Sequence, residues 1–204
     1  MIKIATAVAV VAATTILPSA AMAGAAPEDA GFQKRIFGRV LDAEPAHACF
    51  KRIYDAAHLA RHPRQNVRTM RLLVTGKAED PDQPSYKLGL GVTFRRSGSH
   101  FETAGGCGAI HGAGGSGKAN IVNCGVDCDG GSIDVTLEDA GSVLVAIPDG
   151  ARIWKAGGGD EGADSDRRRF GADDTLFRLE HTDLRDCLPL AADDVDKAAM
   201  KRGQ

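Results

Sequence analysis

Three side chains that could bind a metal ion are spaced for one face of a helix. Asp55, His58 and His62 stand at positions i, i+3 and i+7, which share a face of an α-helix. Two imidazoles and a carboxylate form a ligand set suited to Zn²⁺ or Fe²⁺. Leu59 stands where zinc proteases of the H-E-x-x-H type carry their catalytic glutamate, which excludes that class. In the alternative interpretation both histidines only stabilise the C-terminal end of the helix, where a positive charge suits the helix dipole.

The five cysteines predict disulfide bonds. In an oxidising compartment, thiols that can reach each other pair, and five thiols form at most two intramolecular bridges. We predict a bridge between Cys49 and Cys187, which would join the two ends of the folded region. We predict a second bridge between Cys107 and Cys124, because they end neighbouring strand candidates. Cys107 with Cys128 is the close alternative for this second pair.

The same cysteines offer a competing zinc site. Three sulfurs and one imidazole lie close together in the sequence: Cys107, His111, Cys124 and Cys128. These residue types form an allowed zinc ligand set. The residues between them alternate as in a strand rather than as in a zinc knuckle, so we prefer the disulfide interpretation.

No catalytic motif is complete. Residues Gly112–Lys118 fit the G-x4-G-K phosphate-binding loop, but Ala119 stands where that loop needs Ser or Thr for magnesium. The segment also precedes a strand candidate instead of a helix, so we predict a hairpin loop. The sequence contains no G-x-S-x-G nucleophile motif. We therefore predict no catalytic residue and no cofactor.

The N-terminus has the three parts of a signal peptide. Lys3 supplies a positive charge, Ile4–Leu17 is an uncharged and mostly apolar run, and Ala21–Ala23 is a small-x-small cleavage site. The run of 14 residues is shorter than the roughly 20 residues that span a bilayer. We therefore predict a signal peptide over residues 1–23, no membrane insertion after cleavage, and a periplasmic or secreted protein.

Periodicity predicts a mainly β domain with one leading helix. After a linker or N-terminal arm over residues 24–44, apolar residues recur at helical spacing, which predicts a helix over 45–62. Seven or eight short strands then follow at intervals of about ten residues, separated by Gly-, Asp- and Pro-rich turns. This pattern predicts a meander-like antiparallel barrel or sandwich within a domain over 45–190, followed by a polar tail over 191–204.

Composition narrows the function. The chain has 25 Lys and Arg against 27 Asp and Glu, and this balance argues against a nucleic-acid partner. An apolar content of 43% is too high for a disordered chain. We predict an exported, disulfide-stabilised binding module for a small molecule, an envelope component or a protein. The alternative is a metal-dependent enzyme or metal carrier that uses one of the two ligand sets above.

Overall fold

A computed structural model provides the fold. It describes residues 30–80, 83–111, 119–126, 130–139, 141–158 and 170–203, without the side chains of 109–111 and 119–121. The predicted signal peptide, the Gly112–Lys118 loop and Cys128 lie outside the described residues, as does the side chain of His111.

The described residues form nine strands and four short helices. The strands are β1 (Ala46–Ile53), β2 (Val67–Lys77), β3 (Ser85–Phe94), β4 (His100–His111), β5 (Ala119–Val126), β6 (Ser132–Leu137), β7 (Ser142–Ala146), β8 (Trp154–Lys155) and β9 (Leu176–Thr182). The helices are α1 (Ala30–Phe37), α2 (Ala56–Arg61), a 3₁₀ helix (Leu184–Leu190) and α3 (Asp194–Arg202). Among these residues, no helix is both long and apolar enough to cross a membrane.

Eight of the strands close an antiparallel barrel. Each strand from β1 to β6 pairs with the next one along the chain, and β9 pairs with both β7 and β1. The ninth strand, β8, adds to β4 outside this circuit through Glu102 and Phe101. The prediction of a mainly β, meander-like antiparallel fold is confirmed, and the closed circuit selects the barrel over the sandwich.

Side chains fill the barrel interior. Alternate residues of each strand point inward, as Tyr86, Leu88, Leu90 and Val92 do along β3. The largest fully buried side chains of the strands include Met70, Leu72, Leu90, Phe101, Ile133 and Phe177. An eight-stranded barrel is just wide enough for such side chains, so its stability comes from a packed core.

The prediction of a helix over 45–62 is wrong for most of that range. Residues Ala46–Ile53 are strand β1, and only Ala56–Arg61 are helical. Both faces of β1 are covered: Phe50 points into the barrel and Cys49 packs under the C-terminal helices. A strand buried on both faces loses its two-residue alternation, so its apolar positions can match the helical period by chance.

Helices cover both ends of the barrel. At one end, α1 forms the predicted N-terminal arm and inserts Phe32 and Ile36 into the core. The buried Gln33 fixes this helix, because its amide nitrogen donates to the Tyr86 hydroxyl and its oxygen accepts from the Leu41 amide. At the opposite end, α2 packs against the core through Leu59.

The C-terminal segment packs on the outside of the barrel instead of leaving it as a polar tail. Met200 of α3 is buried against Cys49, Leu73 and Cys187. Asp193 caps the start of α3 by accepting from the Asp196 amide. Around Cys49 and Leu73 the outer face of β1 and β2 is therefore covered by this chain's own residues.

One buried hydroxyl in the barrel leads to a stability prediction. Thr103 is 1% exposed, and its Oγ1 has no hydrogen-bond partner among the described residues. Thr103→Val keeps the shape and removes the unpaired polar group, so we expect the free energy of unfolding to rise by about 1 kcal/mol. Urea denaturation measures the change. Thr136→Val, on the outer side of β6, is the matched control, and a loss of stability in Thr103→Val would contradict the prediction.

Candidate functional site

The outer face of β2, β3 and β4 carries a cleft of about 330 Å³. The end of the 3₁₀ helix, Pro189 and Leu190, also lines the cleft, and Leu190 lies against Gly91 of β3. Ala156, which follows β8, borders it on the side toward β8. The cleft is mostly apolar and holds a few polar groups, which is typical of small-molecule sites.

Strand register places the polar residues of the cleft in two rows across the sheet. Residues that are paired on adjacent strands and point to the same face lie side by side. One row is Thr69, Thr93 and His100. The next row is Arg71, Gly91 and Glu102. A positive and a negative side chain therefore stand on either side of a glycine.

Arg71 lines the cleft, and one nitrogen of its guanidinium group has no hydrogen-bond partner among the described residues. Nε is buried and unpaired in the part of the chain that the structure describes. The guanidinium is a positively charged group with several N–H donors and no acceptor. A buried donor without a partner is unfavourable by about 1–3 kcal/mol, and because Nε is itself buried, a ligand in the cleft would contact Arg71 through other guanidinium nitrogens.

The acidic residue near Arg71, Asp186, already has hydrogen-bond partners of its own. Asp186 accepts hydrogen bonds from Lys51 Nζ and from the Thr182 hydroxyl, both at 2.7 Å. These two bonds lower the pKa of Asp186 below its ordinary value, and the charge of Arg71 contributes further. The carboxylate therefore stays ionised, but its hydrogen bonds go to Lys51 and Thr182.

Glu102 is held on the opposite side of the cleft. Its Oε1 accepts a hydrogen bond from the backbone N–H of Gly157 at 3.0 Å. Its own backbone pairs with Gly91 on one side and Trp154 on the other. The carboxylate therefore has a fixed position on β4, at a point where β4 lies between β3 and β8.

Glycines in β3 let Leu190 lie directly on the sheet. A Cβ at Gly91 would stand 3.0 Å from Leu190 Cδ2, and one at Gly89 would stand 2.9 Å from the Leu190 carbonyl oxygen. On the other side of Leu190 lies a second cleft of about 260 Å³, which Lys87 and Asp196 line. Leu190 thus separates two clefts on one outer face.

The structure does not assemble the predicted metal set of Asp55, His58 and His62. Asp55 is the N-cap of α2, and its carboxylate accepts from the His58 amide at 2.6 Å. His58 Nε2 lies 3.0 Å from Gln65 Oε1, and the rings of His58 and His62 stack at 4.4 Å. The helix is only six residues long, so His62 is its C-cap and no i+7 position exists on its face. No group of three potential ligands that could hold a metal ion occurs in the described ranges.

Four cysteines form the two predicted disulfides. Cys49 on β1 is bonded to Cys187 in the 3₁₀ helix. Cys107 and Cys124 are bonded to each other and face each other directly in the β4–β5 register. Because these two sulfurs are bonded together, they cannot serve as thiolate ligands in the proposed zinc set of Cys107, His111, Cys124 and Cys128.

Sequence reasoning missed the cleft residues. Arg71 and Glu102 lie 31 positions apart, and only the strand register brings them to one row. A local signal was present in Gly89 and Gly91, since glycines inside a strand indicate a close approach by another group. That signal marks the contact between β3 and Leu190 beside the cleft but not the charges that line the cleft.

No family model, no curated protein and no solved structure matches this chain. The function must therefore be inferred from the residues of the cleft. They combine a concave apolar surface with the cation of Arg71, the carboxylate of Glu102, one imidazole and two hydroxyl groups. Such an arrangement can bind and orient a small polar molecule.

Proposed function

We propose that this chain is an exported, disulfide-stabilised binding module that takes a small polar ligand in the cleft on the outer face of β2, β3 and β4. The observation that carries the proposal is that the Arg71 guanidinium and the Glu102 carboxylate line one mostly apolar cleft. A ligand oxygen in the cleft can accept a hydrogen bond from the guanidinium. The bond would be charge-assisted and therefore about twice as strong as a neutral one.

The position of the cleft supports a site outside the barrel. The interior is filled by core side chains, and helices α1 and α2 cover its ends. The cleft volume lies at the lower end of the range for ligand pockets, about 300–1,000 Å³. We therefore favour a small molecule over an envelope component or a protein partner.

The binding role is supported by where the polar groups stand. Thr69, Thr93 and His100 form a row beside the charged row, and all lie on paired strands. Rigid strand positions hold side chains more accurately than loops do. This rigidity suits recognition of a fixed ligand shape, and no chemical step is needed to explain it.

Export is supported by the signal-like residues 1–23 and by the two disulfides. Disulfides persist mainly in oxidising compartments, so we propose a periplasmic or secreted location. We expect the chain produced with its own N-terminus to begin at Gly24. We also expect one alkylated thiol, that of Cys128, after denaturation without reduction. Intact mass measures both, and a chain that keeps residues 1–23 or carries three or more free thiols would contradict this part of the proposal.

Ligand screening tests the binding role. The oxidised protein is screened against a library of small charged and neutral metabolites by thermal shift, because a ligand of the folded state raises Tm. We expect hits that move the NMR signals of the Arg71 Nε–H group and the Gly91 amide. Arg71→Gln is expected to weaken their binding at least tenfold.

Arg68→Gln is the matched control. Arg68 is an exposed arginine on the same strand that does not line the cleft. We expect this variant to bind the hits as the unmodified protein does. Equal losses in both variants, or a library without any hit at the cleft, would overturn the proposed function.

A further inference from the structure

We propose that the ligand is a small zwitterion of the size of an amino acid or dipeptide, with its carboxylate on Arg71 and its ammonium group on Glu102. This inference rests on the proposed function, since it names the chemical class that the same cleft would take. It comes from the row Arg71, Gly91 and Glu102, in which opposite charges stand across a residue without a side chain.

The span between the two charges sets the size of the ligand. Arg71 and Glu102 are two strands apart, so their backbones are separated by two inter-strand spacings, about 9.6 Å. Side chains on the outer face of a closed barrel stand roughly perpendicular to the sheet and diverge, so the charged ends are separated by at least this distance. A charge-assisted hydrogen bond of about 2.8 Å at each end leaves roughly 4 Å or more between the charged groups of the ligand.

That gap lies between two common zwitterions. In an amino acid the nitrogen and the carboxylate carbon are about 2.5 Å apart, and one more extended residue adds up to about 3.8 Å. An amino acid falls short of a gap of about 4 Å, and an extended dipeptide, at about 6.3 Å, exceeds it by about 2 Å. Small tilts of the Arg71 and Glu102 side chains accommodate either one.

The charges of the cleft favour a zwitterion over a simple anion. A mononegative ligand on Arg71 would leave the Glu102 carboxylate facing the same cleft without a positive partner, and burying such a charge is unfavourable. Arg71 and Glu102 form no ion pair with each other in the described structure, so both remain available to a ligand. Glu102 keeps one oxygen on the Gly157 amide, which holds the carboxylate in place for an ammonium group.

The uncharged lining fits the rest of such a molecule. Leu190 already lies against Gly91, so a ligand backbone would lie beside the Leu190 side chain. Leu190, Pro189 and Ala156 supply apolar surface for a side chain such as that of leucine. The hydroxyl groups of Thr69 and Thr93 can bond to a peptide carbonyl or amide.

Isothermal titration calorimetry with matched probes tests the class. The probes are L-leucine and the dipeptide Ala-Leu, together with N-acetyl-Ala-Leu, which lacks the ammonium group, and Ala-Leu amide, which lacks the carboxylate. We expect L-leucine or Ala-Leu to bind the oxidised protein, and each capped dipeptide to bind at least tenfold more weakly than Ala-Leu.

Two variants assign each end of the ligand. Arg71→Gln is expected to abolish the preference for Ala-Leu over its amide. Glu102→Gln keeps an oxygen for the Gly157 amide and is expected to abolish the preference for Ala-Leu over its acetylated form. Arg68→Gln, as above, should leave both preferences unchanged, and near-native ¹H–¹⁵N spectra establish that each variant is folded.

The outcomes separate the inference from the proposed function. If library compounds bind at the cleft but the zwitterions do not, or if the capped dipeptides bind as well as Ala-Leu, the zwitterion inference is overturned and the proposed function stands. If no compound binds at the cleft, both are overturned. Loss of each preference in its own variant alone supports the inference.

Discussion

Replacement of both Cys49 and Cys187 by alanine is expected to lower the free energy of unfolding by about 5 kcal/mol. The two cysteines are 138 positions apart, and in the chain-entropy model a crosslink that closes so long a loop removes a large part of the freedom of the unfolded chain. The bond also joins β1 to the 3₁₀ helix, whose Cys187 is buried in the outer core with Leu73 and Met200. Guanidinium denaturation of the oxidised proteins measures the difference.

The second disulfide provides the control for loop length. Cys107 and Cys124 are only 17 positions apart, so replacement of both by alanine is expected to lower stability by about 3 kcal/mol. Both double variants are made in a Cys128→Ser background, which prevents the fifth cysteine from forming a new pair. Equal losses in the two variants would contradict the loop-length argument.

The long-range disulfide also positions the cleft. Cys187 stands two residues before Pro189 and three before Leu190, which border the cleft. Without the crosslink the 3₁₀ helix is attached to the barrel mainly by packing and by the Lys51–Asp186 ion pair. We therefore expect ligands of the cleft to bind more weakly to the Cys49→Ala/Cys187→Ala protein, while the Cys107→Ala/Cys124→Ala protein keeps more of its affinity.

The strands that sequence predicted well are those with one face in the core and one face outside. In β3 and β6 inward apolar residues alternate with polar or small ones, so the two-residue period is visible in the sequence. Strand β1 is buried on both faces and was predicted as a helix. The error has a tertiary cause, because the residues that cover the outer face of β1 lie about 140 positions further along the chain.

The disulfides were predictable and the cleft was not. The pair Cys49 and Cys187 could be predicted from an oxidising compartment and from the positions of both residues at the two ends of the folded region. The cleft needs the register of three strands, because a shift by one residue would turn Arg71 or Glu102 to the other face of the sheet. The residues predicted as metal ligands are not brought together, and the reason is local. The Asp55 carboxylate accepts a hydrogen bond from the His58 amide and caps the start of α2.

Asp174 is expected to be the most sensitive single position outside the cysteines. Its carboxylate is 0% exposed and accepts hydrogen bonds from the backbone amides of Asn66 at 2.8 Å, Gly171 at 2.6 Å and Val67 at 3.2 Å. These bonds join the start of β2 to the loop before β9. Asp174→Ala leaves the three donors without this acceptor, and we expect the free energy of unfolding to fall by about 4 kcal/mol. Urea denaturation measures the loss.

The neighbouring aspartate is the matched control for that prediction. Asp173 pairs with Arg64 at 3.0 Å, but the Arg64 side chain is 73% exposed, so Asp173→Ala is expected to change stability by less than about 1 kcal/mol. Asp174→Asn keeps one acceptor oxygen and should fall between the two alanine variants. The loop has little room to adjust, because a Cβ at Gly171 would stand 1.9 Å from the Arg64 carbonyl oxygen. Equal effects of Asp173→Ala and Asp174→Ala would therefore mean that the three amides find other acceptors, and that the Asp174 carboxylate does not hold this end of the barrel together.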